Sequence, residues 1–428
     1  MNKPGYKKTV LGWIPEEWDI FSLQDLSALE RGKFSARPRN DPKYFGGEIP
    51  FLQTGDVSNG KGNVESFQQT LNKEGVKVSK LFPKGTLLIT IAANIGDIAE
   101  VNFDFACTDS LVAISPSSKV NTKWLKFYLQ TQKLNFDSLA TQNAQKNINL
   151  EILRPFKIIT PSFAEQIKIA QILSTWDKAI TQIQQLIEAQ QRLKQGLMQQ
   201  LLTGRMRFKE FGEPLKSSKS LPLGWIYSQL GKHAIKIGSG VTPSGGSESY
   251  HSSGIPFIRS QNVLWGQLSL DDVVFIDEIQ HKKMSGSTIL KNDVLLNITG
   301  ASIGRSCIVP ESIKEANVNQ HVCILRTKKE LSPHYLLSFL LSSKGQKQIE
   351  QFQAGGNRQG LNYEQIRSFR IAIPTLKEQQ KIAQVISCAD SEIKSLQTKV
   401  DYLQTQKKGL MQKLLTGQIR VKVERSEE

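Results

Sequence analysis

No apolar run in this chain approaches the roughly 20 residues that span a bilayer. The longest, such as LLITIAA at 87–93, are of core length. The opening residues MNKPGYKKTVLGWIPEEWDI contain no stretch resembling the apolar core of a secretory signal, so a cytoplasmic location and no membrane partner are expected. Cysteine is scarce. Cys107, Cys307, Cys323 and Cys388 stand far apart with no CxxC pair, which argues against a disulfide framework or a zinc ribbon and predicts buried, reduced thiols. The common catalytic words are missing too: there is no HExxH, no GxSxG, no paired-carboxylate nuclease pattern and no Asn-Pro-Pro-Tyr-like amino-methyltransferase motif. GSGVTPSGG at 238–246 is glycine-rich but lacks the GK[ST] ending of a phosphate-binding loop. His233, His251, His281, His321 and His334 show no metal-ligand spacing, so structural or surface roles are expected and no metal site is read. No catalytic constellation emerges.

What is present is length, positive charge and repetition. The 428 residues suffice for two or three domains, and 39% hydrophobic with 22% charged residues is an ordinary globular composition. A net charge of +16 fits a polyanionic partner, either nucleic acid or an acidic protein face. PSFAEQIKIAQILSTWDKAI at 161 aligns with PTLKEQQKIAQVISCADSEI at 374, and the register holds to GLMQQLLTGRMRF and GLMQKLLTGQIRV, at a constant offset of 213. Twenty-two of the 48 positions are identical, which implies duplication. Upstream the match is looser: LGW occurs at 11 and 223, IPFLQTGDV at 49 answers IPFIRSQNV at 255, and GTLLITIAANIGDIAEV at 85 answers NDVLLNITGASIGRSCIV at 292. The expected order is a variable domain (1–160), a helix (161–208), a Lys-, Ser-, Pro- and Gly-rich linker (209–224), a second variable domain (225–373), a second helix (374–421) and a tail (422–428).

The helical segments carry a heptad seam. Ile382, Ile386, Ala389, Ile393, Leu396, Val400, Leu403, Lys407, Leu410 and Leu414 follow an alternating four–three spacing. Ile169, Leu173, Trp176, Ile180, Ile183, Ile187, Gln190, Lys194, Leu197 and Leu201 repeat it in the first copy. So narrow a stripe favours helices that pack on each other over helices that merely cover their own domains. Equal repeats joined through equal faces predict an antiparallel pair, which also keeps Lys194 and Lys407 from facing one another in the seam. Trp176 against Ala389 marks a place where the two copies are not equal. Gly204 and Gly417, in the paired LLTG words, suit the left-handed residue that ends a helix. A helix of this length spans roughly 60 Å and would set a distance between two similar heads.

The variable domains read as mixed α/β: strands at TLLITIA, DVLLNIT, IPFL and IPFI, and helices near 121–138 and 333–351. Each carries basic and amide-bearing loops. The first offers Arg31, Lys33, Arg37, Arg39, Lys43, Tyr44, Gln53 and Thr54; the second offers Lys236, Thr242, Ser244, Tyr250, His251, Arg259, Gln261 and Asn262. A further matched pair of loops holds Gln142, Gln145 and Lys146, and Asn357, Arg358 and Gln359. Arg and Lys suit phosphates and guanine edges, and Asn and Gln suit adenine edges. Any one of these side chains is as readily a solvated loop residue; as clusters at equivalent places in both copies they favour contact with double-stranded DNA.

YFGGEIPFLQTGDV with YHSSGIPFIRSQNV, ITPSFAEQIKIAQIL with IPTLKEQQKIAQVI, and the paired LLTG ends together resemble the specificity subunits of Type I restriction-modification enzymes. The resemblance covers nearly the whole chain. It implies an α/β (α+β) fold in which two target recognition domains are joined by two long helices forming an antiparallel coiled coil. Each domain would read one half of a bipartite, asymmetric sequence, and the coiled coil would measure the gap. The family's subunit catalyses nothing and holds no cofactor. S-adenosylmethionine, ATP and Mg belong to its partners, two modification (methyltransferase) subunits and motor-nuclease restriction subunits. The competing reading is a coiled-coil scaffold whose basic heads bind acidic proteins. A self-sufficient nuclease or methyltransferase is disfavoured by the missing motifs.

Overall fold

The computed structural model describes residues 3–141, 147–215, 220–353 and 360–423. The chain forms two compact units that are not contiguous in sequence: residues 1–183 with 398–428, and residues 184–397. Each long helix, Phe163–Leu201 and Leu376–Leu415, contributes its first half to one unit and its second half to the other.

The first unit holds a five-stranded sheet in the order Ser27–Arg31, Leu111–Pro116, Thr86–Thr90, Ile98–Val101, Asn63–Val64. A four-stranded sheet in the order Gln69–Leu71, Phe45–Leu52, Phe105–Cys107, Leu81–Phe82 accompanies it. The second unit repeats the plan with Ala234–Ser239, Val322–Thr327, Val294–Asn297, Ser306–Ile308, and with Val274–Ile276, Ile255–Ile258, Ala316–Val318, Thr288–Ile289. The apolar runs noted in the sequence are the central strands, buried along their whole length. Successive side chains of a strand point to opposite faces. Leu87 and Ile89 accordingly join the cluster that contains the helices, while Leu88 joins the one beneath the other sheet. Val294, Leu296 and Leu295 divide in the same way.

The expected helices at 121–138 and 333–351 are each two helices, broken at Gln132 and Ser342. The second break has a clear cause. The Ser342 hydroxyl accepts from the Gly345 N–H, and a Cβ on Gly345 would lie 2.2 Å from the Phe339 carbonyl oxygen, so the new helix starts where only glycine fits. Three of the four cysteines are buried as expected, and burial pushes the Cys107, Cys307 and Cys323 thiols up to about 12. Cys388 is exposed, since it falls between seam positions on the outer side of its helix.

The seam residues are all buried or half-buried, among exposed neighbours. In the first unit Ile169, Ala170 and Leu173, near the start of one long helix, share a core with Met411, Leu414 and Leu415 at the end of the other. In the second unit Met198, Leu201 and Leu202 meet Ile382 and Ile386. Within each unit the helices therefore run antiparallel. The seam lysines report the same arrangement: Lys407 pairs with Asp177 at 2.5 Å in one unit, and Lys194 with Asp390 at 2.5 Å in the other. These are one contact of the repeat, with the helices exchanged.

The repeated Pro-x-x-x-Glu-Gln word fastens each helix to its variable domain. Glu165 accepts from Trp18 Nε1 (3.0 Å) and Arg420 Nε (2.7 Å). Glu378 accepts from Trp225 Nε1 (3.1 Å) and from Arg207 Nε and Nη2 (2.9 and 3.0 Å). The adjoining Gln166 takes the Asn121 N–H and donates to the Pro161 carbonyl; Gln379 takes the Ser332 N–H and donates to the Pro374 carbonyl. Gly417 and Gly204, at φ +73° and +69°, turn the chain after LLTG. A Cβ on either would strike Pro15 or Pro222 at 2.5 or 2.3 Å, so only glycine allows the following Arg420 or Arg207 to reach its carboxylate. These contacts correct one sequence match: the counterpart of Trp225 is Trp18, whereas the LGW at 11–13 lies in the hairpin Tyr6–Thr9 with Gly12–Pro15, where Trp13 is exposed.

Candidate nucleic-acid interface

In both units a loop, a turn and a second loop converge at one end of the sheets. Gly32 in the first unit and Gly240 in the second make the approach possible. A Cβ would meet the Thr108 carbonyl oxygen at 2.1 Å or the Val318 carbonyl oxygen at 1.6 Å, so the first loop lies directly on the turn that follows Phe105–Cys107 or Ala316–Val318. Parallel pairing fixes that turn. Cys107 is in register with Leu52, and Thr108 N–H donates to the Leu52 carbonyl; Val318 is in register with Ile258, and Asn319 N–H donates to the Ile258 carbonyl. Asp109 and Gln320 thus occupy the same place.

The first unit is ionic there. Arg39 places its guanidinium fork on the Asp109 carboxylate at 3.0 and 2.6 Å, and holds that carboxyl below the usual range. Arg31 donates from Nε to the Asp109 carbonyl oxygen. Arg31 also lines a cavity of about 260 Å³ with Ile91, Val112, Asn147, Ile148 and Glu151. Lys43 pairs with Asp41 and lies over the Tyr44 ring, which packs edge-on against Phe34. Lys33 and Arg37 are exposed on the same loop. Gln53 caps the short helix Thr54–Asn59, with its N–H to Asp56 and its amide donating to Gln69 Oε1.

The second unit puts neutral groups in those places. Thr242 Oγ1 donates to Gln320 Oε1 at 2.7 Å, and Gln320 Nε2 faces His321 Nε2 at 3.1 Å. The amide NH₂ can only donate, which leaves the imidazole proton on Nδ1, 2.5 Å from Thr299 Oγ1. Ser239 meets the Tyr363 hydroxyl. Arg259 lies over the Tyr250 ring and donates to the Asp272 carbonyl, and His251 is exposed 3.9 Å from Asp277. Ser244 and Gln261 are exposed. Asn262 is buried at 2%, its Oδ1 accepting from Arg259 N–H, so it shapes the loop instead of facing solvent. Lys236 donates to the Gly286 carbonyl, away from this cluster.

Gln142, Gln145 and Lys146, and Asn357, Arg358 and Gln359, lie outside the described residues. Their flanks come to the same end of each unit. Ile148 N–H donates to Ile91, and Leu361 N–H to Ile298, while Thr299 bridges Gly360. Asp109, Gln320, His321, Thr299 and Tyr363 were missed. The signal was the contrast between ACTDSLVAI and NVNQHVCIL, unlike centres within like strands.

Among the described residues no three His, Cys, Asp or Glu side chains are placed to hold a metal ion. No helix of the described residues is long and apolar enough to cross a membrane. The family model described as Type I restriction modification DNA specificity domain matches residues 15–191 and, a second time, residues 230–404. The chain belongs to this family. The two matched copies are the duplicated plan seen above. Several relatives extend over nearly the whole length. The Type I restriction enzyme MjaIX specificity subunit of Methanocaldococcus jannaschii is 25% identical over 429 residues, covering 97% of this chain and 96% of that one. The EcoBI specificity subunit of Escherichia coli is 23% identical, covering 95% and 87%. The crystal structure of the S subunit of a Type I restriction-modification system from M. genitalium matches with a TM-score of 0.57 at 16% identity, over 95% of this chain and 97% of that one. Specificity subunits of this fold pair mixed α/β domains with long helices, as here.

Proposed function

We propose that this chain is the non-catalytic DNA-specificity subunit of a Type I restriction-modification complex. On this reading each variable domain recognises one half of a two-part, asymmetric double-stranded target. The observation that carries the reading is the pair of clusters at equivalent ends of the two units: one frame, built on Gly32 and Gly240, presents an Arg–Asp set in one unit and a Thr–Gln–His set in the other. A common frame with unlike reading groups is what two different half-sites require. Arg31 and Arg39 suit guanine edges or phosphates, and Gln320 suits an adenine edge.

The long helices, 39 and 40 residues or roughly 60 Å each, set the gap between half-sites in this proposal. Their outer faces dock two modification subunits, with motor-nuclease subunits beyond. S-adenosylmethionine, ATP and Mg act on those partners, and the complex works in the cytoplasm. The direct test is binding of the chain, together with its modification partner, to a randomised duplex library. A two-part preference supports the proposal, and the absence of any overturns it. The net charge of +16 also suits basic heads that grip acidic proteins. That reading predicts no retention of DNA, whereas a DNA reader loses affinity steeply as salt rises.

A further inference from the structure

The second unit contains a cleft of about 1010 Å³ that the DNA-reading clusters do not use. It lies between the last turns of the first long helix, the outer side of the strand Ile226–Gln229 and the start of the helix Ser343–Gln353. Arg192, Arg205, Lys344 and Lys347 line it, and none of its described lining residues is acidic. None of the four is ion-paired among the described residues. Burial, and then the Arg205 charge, hold the Lys344 ammonium below its usual range. The rest of the wall mixes the neutral polar Gln195, Gln199, Thr203, Ser220, Ser342 and Ser343 with apolar side chains, of which Tyr227 and Leu221 are exposed.

The first unit does not repeat this surface. Thr405 and Gln418, 213 residues on, replace Arg192 and Arg205. The backbone bonds Phe136 N–H to Gln132 and Gln346 N–H to Ser342 align the two short helices, which places Leu134 opposite Lys344 and Asp137 opposite Lys347.

We propose that this cleft is the docking site for an acidic, amphipathic polypeptide segment of a partner that binds once per chain. Four cations with no ion pair among the described residues, set beside apolar side chains, complement a segment with carboxylates along one side and aliphatic side chains along the other. A nucleic-acid backbone would satisfy the cations and leave the exposed Leu221 and Tyr227 uncovered. The confinement of the cations to one unit sets the count at one.

The test uses the full chain and a fluorescent 21-residue helical peptide of Glu and Leu in heptads. A polyglutamate of equal length and a short non-target duplex are the competing probes. The Glu/Leu peptide is expected to bind 1:1, at least tenfold more weakly to the double variant Lys344→Glu with Lys347→Glu, and with little change to Lys344→Arg. Polyglutamate is expected to compete poorly and the duplex not at all, while target-DNA binding by the double variant stays intact and reports its fold. Peptide affinity indifferent to charge reversal, two equal sites per chain, or displacement by the duplex would each overturn the proposal.

Discussion

Two carboxylates one repeat apart offer a comparison at single-residue resolution. Glu378 and its partner Arg207 are both fully buried, whereas Arg420, the partner of Glu165, is 37% exposed and also bonds to Glu17. Removing one member of a buried pair strands the other charge, at a cost of about 3–5 kcal/mol. Glu378→Ala should therefore cost about that much, and Glu165→Ala clearly less, because Arg420 keeps both Glu17 and water. Urea unfolding of the two variants measures the difference; equal losses would contradict the assignment. If the candidate clusters read the DNA as proposed, Arg39→Ala should remove about 1–3 kcal/mol of discrimination at one half-site only. Titration against duplexes altered in one half at a time reads this out. Asp109 makes this contact legible only in three dimensions. It lies 70 residues from Arg39 in sequence, and a parallel strand pairing brings the two together. No local pattern announces such a pairing, which is why Asp109, Gln320 and His321 escaped a sequence reading that found Arg39 and Thr242.

At the scale of elements, what could be read directly was periodic or repeated. The seam from Ile382 to Leu414 declares its helix through spacing alone, and LLTG declares its end because Gly204 and Gly417 adopt a conformation other residues resist. The helix breaks at Gln132 and Ser342 were hidden, since they depend on close approach, as at Gly345, and not on composition. The false LGW match had a similar origin: three identical letters fell in a hairpin, while the true counterpart Trp18 is defined by its bond to Glu165. The antiparallel pairing makes a quantitative prediction. Deleting one heptad from each long helix at matching positions keeps the seam in phase and shortens each by roughly 10 Å at about 1.5 Å per residue. That corresponds to about three base pairs of B-DNA at roughly 3.4 Å each. The gap in the recognised sequence should shrink by about that amount with both half-sites kept. Altered half-sites with an unchanged gap would show that the helices do not measure it.

For the whole molecule, duplication accounts for the fold and divergence for its use. Of the parts that match between copies, Glu165 with Glu378 and the LLTG ends hold helices to domains, and Lys194 with Lys407 hold helix to helix. The parts that differ, Asp109 against Gln320 and Arg39 against Thr242, face the candidate interface. Replacing residues 19–160 with those of a relative should accordingly change one half of the target and leave the other half and the gap alone. The most direct test of the central claim is the methylation pattern of a host genome expressing this chain with its modification and motor-nuclease subunits. The account predicts adenine methylation at a single two-part, asymmetric sequence with a fixed gap. Methylation at a continuous or symmetric site, or at no defined site, would contradict it.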